Sequence, residues 1–470
     1  MGIFGKHTGL YTDFYEFTMA QGFFLAGKAG MPARFDYFFR ENPFHGGYVV
    51  FAGLDDLLEG LDHFSFDEED IRYLGSVGLN KEFLSFLMEF RFKGRVYAAS
   101  EGEIVFPLEP VVMVEGTIIE TQIIETLLLN LLNFESLIAT KASRIRFVAG
   151  DRRIVDFGLR RAQGLGGIQA TKASIIGGFD ATSNVYSAFQ YSLEVSGTQA
   201  HSWVQSFDDE LSAFRKFAET FPDKCVLLVD TYNTLKSGVP NAITVAKELE
   251  KSGHKLVGVR LDSGDLAYLS KHARSMLDDA GLQYVRIVAS NQLDEYVIRS
   301  LLEQGAPIDA FGVGTRLVTG QNTAALDGVY KLSECDGKPR LKFSENFGKI
   351  TLPGKKTVVR YRDSQGMFYA DGIMLEDERE VDMIYHPFFT ENRSSVRGLR
   401  AENILTKVME DGKRLRKWTI ADSSSMARKR LAALSAEHKR FENPHVFKVG
   451  ITDGLLELRS SLIDQFHKTL

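Results

Sequence analysis

The sequence predicts an α/β protein whose middle third folds as an irregular βα barrel, and three observations support this. Short β-rich runs recur: CVLLVD from 225, KLVGVRLD from 255, YVRIVAS from 284 and PIDAFGVG from 307. Their strands begin near 226, 256, 284 and 308, a spacing of roughly 25–30 residues that suits successive βα units. Helical stretches lie between them, ending at Gly253, near Gly281 and at Gly305. Polar residues cluster immediately after each strand. Such a series forms an open parallel sheet or a closed barrel, and a barrel is the expectation.

Taken in chain order, the first zone (1–150) opens with a helical pattern near Tyr11–Leu25, followed by strand-like ARFDYFFR (33–40). The run 96–116 reads as short strands and turns, because Pro107, Pro110 and its glycines interrupt the alternation. Thr117–Val148 reads as one long helix or two, with Leu127–Leu132 buried. In the second zone (151–325), RIVDFG (153–158) and LEVSG (193–197) look like further strands of the barrel series. The third zone (326–470) changes style. Strand-like runs with Gly and Pro turns fill 328–375, and 423–441 reads as a basic amphipathic helix whose Arg428, Lys429, Arg430, Lys439 and Arg440 form a solvated face. This zone is expected to pack on the other two.

The chain has 470 residues, 44% hydrophobic and 25% charged, with a formal net charge of −6. That length suits two or three domains, and that charge argues against a nucleic-acid surface. Two cysteines, Cys225 and Cys335, provide neither a disulfide framework nor a four-ligand zinc cluster, so no structural zinc is expected. Residues 1–10 lack a signal-peptide run, and no membrane span is expected. The expected location is the cytoplasm.

Chemistry gathers where the strands end. Asp230, Thr231, Tyr232 and Asn233 follow the strand at 225–229, and Arg260, Asp262, Ser263, Gly264 and Asp265 follow that at 256–259. Ser290 and Asn291 follow the third strand; Gly312, Gly314 and Thr315 follow the fourth. The C-terminal ends of parallel strands face one way, so these residues converge on one pocket. The FGVGT turn (311–315) lets backbone approach a ligand and aims N–H groups at a phosphate. Asp230 and Asp262 suit Mg²⁺, directly or through water, or ribose hydroxyls, while Asp265 reads as a helix cap. Arg160 and Arg161 suit carboxylate or phosphate, and His201 follows a strand and a glycine turn in SGTQAHSW (196–203).

At these residues the chain resembles nicotinate phosphoribosyltransferases. The matching segments, in order, are YTDFYEFTMAQ (11–21), FFRENPFHGGY (38–48), VDFGLRRAQG (155–164), IGGFDATSN (176–184), SGTQAHSWVQSF (196–207), VDTYNT (229–234), VRLDSGD (259–265) and FGVGT (311–315). The resemblance implies a type II phosphoribosyltransferase fold, a barrel-like α/β domain joined to a smaller α+β domain built largely from the N-terminal region. It implies that nicotinate and phosphoribosyl pyrophosphate give nicotinate mononucleotide and pyrophosphate, with Mg²⁺ present and ATP hydrolysis coupled. It further implies that His201 is the phosphorylated histidine, that Phe157 and a neighbouring subunit's Tyr15 sandwich the pyridine, and that Arg260 meets its carboxylate. Arg160 and FGVGT would take phosphate, and Asp230 and Asp262 the ribose and the metal. A site shared in this way implies a homodimer. Asp180 matches an acidic residue that lies near the amide in related nicotinamide enzymes, which keeps a nicotinamide phosphoribosyltransferase as the alternative. A quinolinate-type transferase and a catalytically silent metabolite-binding relative are the other readings.

Overall fold

The computed structural model describes residues 5–343 and 351–469. The chain divides into two compact units, Lys141–Gln321 and a unit made of Met1–Thr140 with Asn322–Leu470. The zone 326–470 therefore belongs with the N-terminal zone, and pairing explains it. The strand Pro32–Phe39 lies antiparallel between Gly328–Cys335 and Val112–Thr117. Arg95–Ala98 and Thr406–Glu410 extend the same seven-stranded sheet. Buried ion pairs bind the two segments further. Lys356 Nζ lies 2.8 Å from Asp36, and Arg360 bridges Asp371 and Glu103, each at 2.6 Å. Breaking such a pair leaves an uncompensated buried charge, which costs ~3–5 kcal/mol.

The first helix is Phe14–Leu25, and the long stretch read as one helix or two is two, Ile118–Ile123 and Glu125–Ala149. Together Ile118–Ala149 are long and apolar enough by composition to cross a membrane, against the expectation of no such segment. Two thirds of that stretch's most apolar window (67%) is buried in protein, which is how a core helix behaves. The basic helix is Ile420–Ala433, and its face is not wholly solvated: Arg430 is 9% exposed, with Nε 2.7 Å from Glu103. Of the expected strand-rich run 328–375, positions 344–350 lie outside the described residues.

The unit Lys141–Gln321 carries the βα series. Its strands are β1 (Arg153–Asp156), β2 (Ala181–Thr182), β3 (Val226–Leu228), β4 (Gly258–Leu261), β5 (Arg286–Ser290) and β6 (Ala310–Val313). Every pairing is parallel, and the order is β2-β1-β6-β5-β4-β3. The last strand thus pairs with the first, as in a βα barrel, and the seam falls between β2 and β3. The expected strand LEVSG is absent. Val195 makes a single bridge to Thr182 and is 56% exposed, so nothing holds a ladder there. Three of the helices between the strands start at side-chain caps: Asn184, Asp265 and Asp294 each accept a backbone N–H from the first turn.

Candidate active site

The polar residues at the strand ends fall into two groups. Asn233 and Asp265 are occupied with local turns, Asn233 accepting from Lys236 N at 2.8 Å and Asp265 from Tyr268 N at 3.0 Å. Asp230, Asp262 and Ser290 instead bond to one another's loops. Asp230 Oδ2 accepts from Asp262 N (2.8 Å) and from the Ser263 hydroxyl (2.6 Å), while its Oδ1 is buried without a partner. The Ser290 hydroxyl donates to Asp262 Oδ1 at 2.5 Å.

Chain leaving β2 crosses the seam and brings in SGTQAHSW. His201 opens the short helix His201–Gln205. Its Nδ1 lies 3.1 Å from the Thr231 hydroxyl, just past β3, and its Nε2 lies 3.9 Å from Asp262 Oδ2, just past β4. The imidazole is thus fixed between two strand ends with one edge exposed, its side chain 41% accessible. Arg260, within β4, reaches back to the same segment, donating to Thr198 Oγ1 (2.8 Å) and the Gln199 carbonyl (3.1 Å). Its Nε is buried and unpartnered. Burial pulls this guanidinium below its ordinary value. Asp262 and Asp230 oppose that, and the charge of Arg160 adds to it. Arg160 itself is exposed, in the turn Leu159–Arg161 after β1.

Glycines in FGVGT have a steric reason different from the expected phosphate approach. A Cβ on Gly312 would overlap the Phe157 ring, and one on Gly314 would lie 3.0 Å from the Phe157 carbonyl. Phe157 N also donates to Val313 O at 2.8 Å, so β6 seats the residue that follows β1. Thr315 starts the four-residue helix Thr315–Val318.

Three further residues carried expectations. Tyr15 is in the other unit, on helix Phe14–Leu25, and 47% exposed. Asp180 precedes β2 rather than following it, beside the early residues of β1. Its Oδ2 is 2.5 Å from Arg146 Nη2 and accepts from Ile154 N at 2.8 Å. The carboxylate that favoured the nicotinamide alternative is therefore held away from the strand ends where the other residues gather. Arg161 is exposed beside Arg160.

Sequence reasoning passed over Asp156, the last residue of β1. It is fully buried and accepts from Gly158 N, Thr171 Oγ1 and Thr182 Oγ1, each at 2.8 Å. Burial raises its carboxyl above the ordinary range, and those three hydrogen bonds oppose the rise. The same rule of polar residues at strand ends would have found it.

Sequence models of the nicotinate phosphoribosyltransferase N-terminal domain, family domain and C-terminal domain match residues 10–133, 152–378 and 355–459. A nicotinate phosphoribosyltransferase of Bacillus subtilis (strain 168) is 43% identical over 458 residues, covering 94% of this chain and 93% of its own length. That of Homo sapiens is 33% identical over 517 residues, covering 96% of each. The crystal structure of human nicotinic acid phosphoribosyltransferase superposes with a TM-score of 0.86 at 31% identity, over 96% of this chain and 99% of that one. With the fold, the strand-end residues and full-length similarity in agreement, the chain belongs to the nicotinate phosphoribosyltransferase family.

Proposed function

We propose that this chain joins nicotinate to the phosphoribosyl group of phosphoribosyl pyrophosphate, releasing pyrophosphate, with ATP hydrolysis coupled to the transfer. The observation that carries the coupling is the line Thr231–His201–Asp262–Ser290 along the ends of β3, β4 and β5. With Nδ1–H donated to Thr231, Nε2 of His201 holds a lone pair. That pair attacks the γ-phosphorus of ATP, the bond to the β-phosphate oxygen breaks, and ADP leaves with the electrons. Water then attacks the phosphorus, the N–P bond breaks, and inorganic phosphate leaves as Nε2 regains its lone pair.

In the transfer step, the C–O bond from the anomeric carbon to pyrophosphate breaks and the pair leaves with pyrophosphate. The pyridine nitrogen's lone pair forms the new C–N bond. Phe157 packs one face of the pyridine, and Tyr15 from a second copy covers the other, which makes the working form a homodimer. Arg260, its fork held by Thr198 and Gln199, presents its unpartnered Nε toward the nicotinate carboxylate. Arg160 and the FGVGT turn take phosphate.

Asp230 and Asp262 fit a Mg²⁺ ion. Asp230 Oδ1 is a buried acceptor without a donor, and Asp262 Oδ2 is left open when Ser290 occupies Oδ1. Mg²⁺ usually takes one or two carboxylates and shares substrate phosphate, so these two suffice. When bound, the ion neutralises charge on the departing pyrophosphate.

Product analysis tests the reading. Incubation with nicotinate, phosphoribosyl pyrophosphate and Mg²⁺ is expected to yield nicotinate mononucleotide and pyrophosphate one for one. Equal or faster conversion of nicotinamide or quinolinate in parallel reactions would overturn the assignment.

A further inference from the structure

In the β-rich unit, a cleft of about 380 Å³ opens beside the strand Met383–Tyr385. That volume is within the range of small-molecule sites, roughly 300–1,000 Å³. Its floor is apolar: Phe106 and Phe447 stack at 3.8 Å between centroids, with buried Ile384 beside them. Its polar lining is one-sided. Arg393 and Lys448 are exposed there, and no carboxylate is among the described lining residues, on a chain of net charge −6. Neither cation makes an ion pair among the described residues; Lys448 Nζ lies 4.2 Å from the centroid of the Tyr369 ring.

His386 adds a donor of fixed direction. The backbone N–H groups of Phe388 and Phe389 both donate to its Nδ1, each at 3.2 Å. Nδ1 is therefore the acceptor nitrogen, and the ring proton sits on Nε2. Burial lowers the pKa of this imidazole, against the charge of Glu391, and so favours the neutral ring that this arrangement needs. On the opposite count, Asn42 Oδ1 is a buried acceptor with no donor, also on the lining.

We propose that this cleft is a second ligand site, lined by none of the strand-end residues, and that it takes a nucleoside monophosphate. Arg393, Lys448 and His386 Nε2–H receive the phosphate. Two cations and a neutral donor suit a dianion with three oxygens, whereas one arginine fork alone satisfies a carboxylate. A sugar hydroxyl supplies the donor that Asn42 Oδ1 lacks, and the base lies on the apolar floor.

The test is a calorimetric titration of the full-length protein with AMP, run beside adenosine, which lacks the phosphate. Binding of AMP at least about tenfold tighter than adenosine is expected, since a charge-assisted hydrogen bond is worth that much. Arg393→Gln and Lys448→Gln should each weaken AMP about tenfold. Both side chains are exposed, so unchanged thermal melting will show that the variants fold. Asp262→Asn should leave the AMP titration unaltered. AMP binding that survives the double Arg393→Gln/Lys448→Gln variant, or that Asp262→Asn alone abolishes, would overturn the proposal, as would no binding at all.

Discussion

The ring of Phe157 fills the space that any side chain at Gly312 would need, so the β6 glycine shapes the floor on which the residue after β1 lies. The sequence marked FGVGT as a phosphate turn; the packing gives its first glycine a second task. Gly312→Ala is expected to displace the Phe157 ring, at a strain of ~1–3 kcal/mol. The KM for nicotinate should rise roughly 5- to 150-fold, the equivalent of that strain. The KM for phosphoribosyl pyrophosphate should move much less. Initial rates with each substrate varied in turn check this, and the opposite split would return Gly312 to a phosphate role.

Thr231 is expected to act through His201. Thr231→Val keeps the shape and removes the hydroxyl 3.1 Å from Nδ1. Loss of one hydrogen bond that orients the ring should reduce ATP-stimulated turnover about tenfold, at ~1–1.5 kcal/mol. Turnover without ATP should be preserved. Equal loss with and without ATP would indicate a general structural defect.

Asp262 touches the backbone network at Asp230, the Ser290 hydroxyl and the approach to His201. Asp262→Asn removes the charge with little change of shape. Transfer should fall by about a hundredfold or more with ATP and without it, as expected when a charge placed to stabilise the transition state is lost. Activity within twofold of the parent would remove Asp262 from the site.

Stability should depend on pH through Glu16. Burial raises its carboxyl from 4.5 to about 8. The folded state then holds a proton that the unfolded state releases, so stability falls as pH rises from 4.5 towards 8 and levels off above it. Glu16→Gln should flatten the melting temperature across that window and raise it at pH 8. A slope unchanged in the variant would place the pH dependence elsewhere.

The barrel was legible because its strands repeat a short apolar run, a polar end and a capped helix, each long enough to register as a pattern. The two-residue strand Ala181–Thr182 is too short to do so, and LEVSG, with its alternation, took its place in the reading although it is largely exposed. Asp180 was matched by its motif alone, and without the short strand nothing in the sequence showed that it stands just before one. Polar residues after strands were found as a class, but which of them cap helices and which meet their neighbours depends on how adjacent strand ends are placed in the sheet. Arg430 likewise looked like surface because helical periodicity does not reveal the carboxylates of Glu103 and Glu402 that bury it. The chain's late return to its first sheet had no local signal at all.

The most direct test of the central claim, that His201 at the barrel seam couples ATP to transfer, is nicotinate mononucleotide formation by the parent and His201→Ala, each with and without ATP. Strong ATP stimulation of the parent and none of the variant, whose ATP-independent synthesis persists, is the predicted result. ATP stimulation that survives intact in His201→Ala would contradict it.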